Sequence, residues 1–283
     1  MEHRKLPKFV KYGKISSVVN STFLGPDFFR RELEVFEKID GGNCQVRRVG
    51  EWDLVAGNKA NFLKGDVIKR HSWFSDFNGW MYSNPSLYNL PMNLIMFGEW
   101  TSLHTIKYSE KNTDNFFVLD LYDLDKKKFI EYEKTREILE KYGIKDVKFL
   151  DVKFNGRLNA ALLESILNEP SDLYDGEKEG LVVKDYNSDP QFRLKLYHPL
   201  HSEKTHLSNG TFDYLTPSRF IKSIYRLMEQ KKGDKSRFSD VVEEVIRDVR
   251  TEEGTFYNLP VVSMRLSSYI KDGKLGYASK YLI

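Results

Sequence analysis

With 283 residues, a net charge of +3 and a single cysteine, the chain is long enough for a full hydrophobic core and for two domains. A charge so close to balance excludes a global field as the means of holding nucleic acid, so any such contact must come from a local basic surface. Cys44 standing alone excludes an internal disulfide and a cysteine zinc site, and it fits a reducing compartment.

The N-terminal segment is charged and contains Pro7, unlike a secretory signal. No run of about 18 apolar residues occurs, so neither a membrane span nor a membrane partner is expected. The expectation is a cytoplasmic or otherwise intracellular monomer, from a cellular or a viral source.

Leu33 to Phe36 reads as a strand entering a turn at Lys38-Ile39-Asp40-Gly41, followed by strands at Cys44 to Val49 and Asp53 to Ala56. Apolar runs bounded by Gly and Asn predict antiparallel structure here. Leu94 to Trp100 and Asn115 to Tyr122 read as buried strands, and Lys126-Lys127-Lys128 as a solvated hairpin tip. Lys134 to Tyr142 carries Ile138, Leu139 and Tyr142 at helical spacing and stops at Gly143; Asn159 to Leu167 is a second short helix. Leu181 to Val183 and Phe192 to Leu196 return to strand. Strands and helices mix without regular alternation, which predicts the α+β class.

Past His198 the composition changes. Pro199, Ser202, Ser208, Asn209 and Gly210 form a polar connector, and the rest is helical in pattern. Thr216-Pro217 opens one helix with an apolar stripe at Phe220, Ile221, Ile224, Tyr225 and Met228. Val241, Val242, Val245, Ile246 and Val249 form a second stripe; Pro260 opens a third with Val261, Met264, Leu266, Tyr269 and Ile270. Two domains are expected, over 1–200 and, all-helical, over 211–283. His198, His201 and His206 share no helical face and have no cysteine companion, so they read as linker, not as a metal site. Lys231-Lys232 reads as a helix end, and His104 as a polar residue able to touch substrate.

Five short segments carry chemistry by their order: Lys38-Ile39-Asp40-Gly41, Phe97-Gly98-Glu99, Phe116-Phe117-Val118-Leu119-Asp120, Glu179-Gly180-Leu181-Val182-Val183-Lys184 and Arg193-Leu194-Lys195. Singly, each reads as a turn, a strand end or a solvated edge. A free lysine has a pKa near 10.4, so at neutral pH only about one in a thousand is a neutral nucleophile. Burial and nearby cations must lower that value, and Lys195 and Arg193 are the candidates.

In this order the segments resemble the covalent nucleotidyltransferase superfamily of ATP-dependent DNA and RNA ligases and messenger RNA capping enzymes, over roughly Phe9 to His198. The resemblance implies an ATP-grasp-like nucleotidyltransferase domain of antiparallel sheets with flanking helices. It implies ATP as cofactor, with Mg2+ or Mn2+ near Glu179, and Lys38 as the nucleophile that takes AMP, beside Asp40. Lys195 and Arg193 would hold phosphates, Glu99 would bind the ribose, and the backbone beside Glu37 would read the adenine amino group. Phe117, Leu119 and Val182 would flank the ring, and Lys184, closing the fourth segment, would join the nucleotide site.

Three positions depart from the family pattern. Leu119 stands where an aromatic residue precedes the Asp, and Arg193 stands for the first lysine of Lys-x-Lys. The arginine expected after the second strand has no clear match; Lys59 is the nearest substitute and Arg48 the second. Asn43, five residues after Lys38, resembles the nick-sealing, T4 RNA ligase 2-like branch, whereas Asp40 is more like a DNA ligase. The helical tail, with no room for an OB-fold, and the Gly98 to Thr105 run favour RNA ligase. The implied reaction joins 3′-OH and 5′-phosphate ends of RNA or RNA/DNA. A DNA nick ligase and a weakly catalytic end-binding protein are the alternatives.

Overall fold

The computed structural model describes residues 6–13, 15–18, 24–63, 72–102, 106–202, 205–206, 212–230 and 234–283. The chain divides into two compact units, Met1–Leu196 and Tyr197–Ile283.

In the first unit the strands are Ser16–Val18 (β1), Leu33–Glu37 (β2), Gly42–Gly50 (β3), Asp53–Asn58 (β4), Leu94–Trp100 (β5), Phe116–Asp123 (β6), Lys128–Ile130 (β7), Lys148–Phe149 (β8), Val152–Gly156 (β9), Gly180–Asp185 (β10) and Phe192–Tyr197 (β11). They form two sheets, ordered β1-β11-β10-β2-β9 and β4-β3-β5-β6-β7, with β8 added to β6. Antiparallel pairing dominates, and β1–β11 and β6–β8 are parallel. The class is mixed, with antiparallel sheets and flanking helices, as expected.

The strand, turn and further strands expected around Lys38 are present, but β2 and β3 do not pair with each other: they lie in different sheets, and the turn crosses between them. All five residues of β2 are buried, the mark of an interior strand covered on both faces.

Each sheet buries its outer face on helices. Met96, Trp100, Phe116 and Val118 pack with Phe77 and Met81 of Ser72–Ser83 (α1) and with Leu139 of Tyr132–Lys141 (α2). Leu33, Val35, Leu181, Val183, Leu194 and Leu196 pack on Leu163, Ile166 and Leu167 of Ala160–Leu167 (α3). Each such side chain contributes about 1.5–3 kcal/mol of burial. Helix α1 was not anticipated, although Phe74, Phe77 and Met81 keep helical spacing; Gly79 within it lowers intrinsic propensity. The inner faces meet through Phe36 and Phe117, with Tyr132 at the start of α2 packed beside them. The hairpin between β6 and β7 carries the lysine run, with Lys127 at φ 55°.

The second unit contains a two-stranded ribbon, Thr205–His206 (β12) with Phe212–Asp213 (β13), and helices Pro217–Gln230 (α4), Phe238–Glu253 (α5) and Leu259–Lys271 (α6). Phe220, Ile224, Val241, Val245, Val249 and Leu266 form its core. The third stripe is shifted from expectation: Val262, Leu266 and Tyr269 face inward, while Met264 is 66% exposed. Both sets satisfy the helical period, and packing decides between them. Asn258 caps α6 by accepting from the Val261 amide at 3.1 Å. Arg219 is almost fully buried against Asp248 at 2.5 Å and Glu253 at 3.0 Å. His104, Ser208, Asn209, Gly210, Lys231 and Lys232 lie outside the described residues.

Candidate active site

Backbone pairing sets the position of Lys38. Glu37 is opposite Leu181 in the β2–β10 register, and one residue further the Lys38 amide donates to Gly180 O at 2.9 Å. That bond draws Glu179 alongside, and the Lys38 ammonium contacts its carboxylate. The Glu179 side chain is 1% exposed and that of Lys38 is 12% exposed, so the pair is nearly dry. Asp40 anchors the turn: its carboxylate accepts from the Ile106 amide at 2.9 Å and its own amide donates to the Tyr108 hydroxyl at 2.7 Å. Gly41 permits the close approach, since a Cβ there would lie 2.5 Å from Trp100 O.

Strand β5 supplies Glu99, which is opposite Asn43 on β3 and Phe117 on β6. Burial pushes the Glu99 carboxyl up to about 7; Lys38 and Lys195 oppose the shift, and Glu179 and Asp40 add to it. Lys195, on β11, is held down to about 8 by burial and by the charges of Lys38 and Lys59, against the pull of Glu99 and Glu179. Thus Lys38, Lys195 and Lys59 and the carboxylates of Glu179, Glu99 and Asp40 share one electrostatic neighbourhood. Asn43 donates weakly to Gly98 O at 3.4 Å. Of the two residues expected to stand for the missing arginine, Lys59 belongs to this electrostatic neighbourhood, whereas the Arg48 guanidinium contacts Tyr88 O.

A second buried network lies between the sheets. Lys184 donates to Leu119 O at 2.6 Å and Asp120 at 3.1 Å, and Tyr186 donates to Asp120 at 2.5 Å. Tyr12 also donates to Asp120. Arg193 belongs here: its guanidinium donates to Tyr12 O at 2.6 Å and lies 4.3 Å and 4.1 Å from the Tyr12 and Phe129 ring centroids. Its nearest carboxylate is Asp120 at 3.8 Å. Lys195 meets Lys38 as expected, whereas the charges of Arg193 and Lys184 are engaged by Asp120.

The apolar residues expected around a base face the same space. Val182 is opposite Phe36 on the inner face of its sheet. The β5–β6 register slips between Phe97 and Gly98, so Leu119 is an extra residue. It packs against both the Phe117 cluster and the Phe97 cluster. The Glu37 carboxylate accepts from Ser171 at 2.5 Å and the Asp172 amide at 3.0 Å. Tyr12, Tyr108 and Tyr186 were not anticipated, because nothing in their sequence neighbourhoods marks them.

Among the described residues no group of three or more His, Cys, Asp or Glu could hold a metal. A hard cation that takes most of its ligands from phosphate oxygens and water needs only one or two carboxylates, and the buried Glu179 carboxylate is a donor of that kind.

The sequence profile of the RNA ligase family matches residues 31–197, the segment that contains all five motifs. No curated protein matches the chain with significance. Among solved structures, a Naegleria gruberi RNA ligase variant with ATP and Mn is 20% identical with a TM-score of 0.51, over 68% of this chain and 57% of that one. A second variant of the same ligase with ATP and Mn is 21% identical with a TM-score of 0.50, over the same shares. The chain therefore spans little more than half the length of these structures, and at such identity the likeness concerns the fold. The family match across the two-sheet unit, with the Lys38 cluster at its centre, means that this chain belongs to the RNA ligase family.

Proposed function

We propose that the protein is an ATP-dependent RNA ligase that works through a lysyl-AMP intermediate. The carrying observation is the Lys38 ammonium in a nearly dry pocket, with Glu179 in contact and Lys195 adding a second positive charge. Desolvation and like charge both favour loss of a proton from one amine of such a pair.

In the first step the Lys38 amine attacks the α-phosphorus of ATP: an N–P bond forms, the bond to the bridging oxygen breaks, and pyrophosphate leaves. The proton released from Lys38 passes to the Glu179 carboxylate or to water. Lys195 and Lys59 would hold phosphate oxygens and the charge that develops on them. Glu99, across from Asn43, would bind the ribose, and Phe117, Leu119 and Val182 the base. A divalent ion, when bound, would neutralise phosphate charge.

In the second step a 5′-phosphate oxygen of an RNA end attacks the adenylyl phosphorus and frees Lys38. In the third a 3′-hydroxyl attacks that 5′-phosphate, forming the phosphodiester and releasing AMP. Asn43 favours the nick-sealing, T4 RNA ligase 2-like branch. Arg193, Lys184 and Asp120 are assigned a supporting role, as the buried frame that fixes β6, β10 and β11.

The test is incubation with ATP labelled in the α-phosphate plus Mg2+ or Mn2+. Wild-type protein should retain label and Lys38→Ala none; label persisting on that variant would sink the nucleophile assignment. Nicked duplexes with RNA or DNA on the 3′-hydroxyl side then decide between RNA and DNA sealing.

A further inference from the structure

Strand β10 holds the Lys38 turn from one side, and Ile106 and Tyr108 hold it from another. Both residues are buried, either side of the exposed Lys107, and both bond to Asp40. The Ile106 amide donates to the Asp40 carboxylate at 2.9 Å, and the Asp40 amide donates to the Tyr108 hydroxyl at 2.7 Å. Each segment gives one backbone N–H and receives the other on a side chain, the reciprocal logic of a capping box. Tyr108 is itself fixed: it is 5% exposed, packs in the cluster of Phe36, Ile39 and Leu173, and meets the Tyr174 ring edge-on at 5.8 Å. Next to it, the Ser109 hydroxyl donates to Leu173 O at 3.0 Å.

The amide that Tyr108 holds belongs to the peptide unit between Ile39 and Asp40. The carbonyl of that same unit accepts from the Lys38 ammonium at 3.3 Å. A peptide is planar, so fixing its N–H fixes the direction of its C=O. Lys38 also contacts the Glu179 carboxylate. Once one proton has left, the amine keeps two N–H bonds and one lone pair, and the acceptors of those N–H bonds dictate where the lone pair points. Displacement at phosphorus needs that lone pair in line with the bond to the leaving group. Burial and the charges of Asp40 and Glu179 hold the Tyr108 hydroxyl well above the ordinary phenol range, so it stays neutral and acts through orientation.

Resting on the ligase reading above, we propose that Tyr108 is a positioning residue for adenylyl transfer. By accepting from the Asp40 amide it holds the Ile39–Asp40 peptide so that Ile39 O aims the Lys38 amine at the α-phosphorus.

The experiment compares wild type and Tyr108→Phe, as full chains, in two reactions: single-turnover labelling by ATP labelled in the α-phosphate, and sealing of an RNA end that is already adenylylated. Lys38 is not a reactant in the second. At saturating ATP, Tyr108→Phe should label about 10- to 100-fold more slowly, the cost of a misaimed nucleophile. Its half-saturating ATP concentration and its sealing of adenylylated ends should be unchanged. Hydrogen exchange resolved at the Asp40 amide should be slow in wild type and faster in the variant. Wild-type labelling rates in Tyr108→Phe would overturn the assignment, and so would loss of labelling and sealing by one common factor, which marks a role in folding alone. Free exchange at the Asp40 amide of wild type would overturn it even if the variant failed to fold. Those results leave wild-type labelling intact, whereas wild type that takes no label from any nucleoside triphosphate would defeat the ligase reading and this proposal with it.

Discussion

The Lys38 ammonium contacts the carboxylate of Glu179, 141 residues further along the chain, because the Lys38 amide continues the β2–β10 pairing onto Gly180 O at 2.9 Å. The nucleophile and its acidic partner are thus positioned by one backbone ladder, not by two flexible loops.

Replacing Glu179 by Gln removes the proton acceptor and the charge partner while keeping shape. Label transfer to Lys38 should fall about 100-fold, within the range for loss of a general base. Unchanged labelling rates in single-turnover assays would contradict the role.

Burial and the neighbouring Lys38 charge hold Lys195 down to about 8, below the usual lysine range, so its positive charge is lost as pH rises through 8. If it holds phosphate, ATP affinity without metal should fall about 10-fold between pH 7.5 and 9.5, the size of one charge-assisted contact. Lys195→Arg keeps its charge and should show a flat profile. Calorimetric titration at the two pH values measures both.

Glu34 is buried with one carboxylate oxygen lacking a hydrogen-bond partner, and burial raises its pKa from 4.5 to about 7. A raised acid pKa favours the folded state fully below 4.5. Its contribution is lost between 4.5 and 7, where the unfolded chain ionises first, by up to about 3 kcal/mol. Glu34→Gln should remove this slope, so the stability gained over wild type should grow from pH 5 to pH 7.5 in urea melts.

At Gly98 a Cβ would lie 2.5 Å from Phe117 O, at the register slip that aligns Glu99 with Phe117. Gly98→Ala should cost about 1–3 kcal/mol by overpacking. It should also slow Lys38 labelling through the displaced Glu99. Thermal melts and labelling on the same preparation would check both.

The helical period located the stripes of α4 and α5, where Phe220, Ile224, Val241 and Val245 are buried as expected. It misjudged α6, because Val261 and Val262 are equally apolar and only the neighbouring helices select between them. Arg193 and Lys195 share one face of β11 at the two-residue spacing of a strand, yet they meet different partners. Arg193 reaches Tyr12, 181 residues away, and no local pattern could announce that contact.

By itself the sequence marked which residues are candidates for the chemistry, because a lysine before an Asp-Gly turn, carboxylates and cations are legible from residue type, order and strand-bounded spacing. Tertiary structure alone decided which of those charges meet. The Lys38 turn crosses between two sheets, and their facing surfaces sort the cations into Lys195 within the charge field of Lys38, and Lys184 and Arg193 around Asp120. The physical reason is that buried charge must find opposite charge or hydrogen bonds. The partners that satisfy it come from strands far apart in the chain.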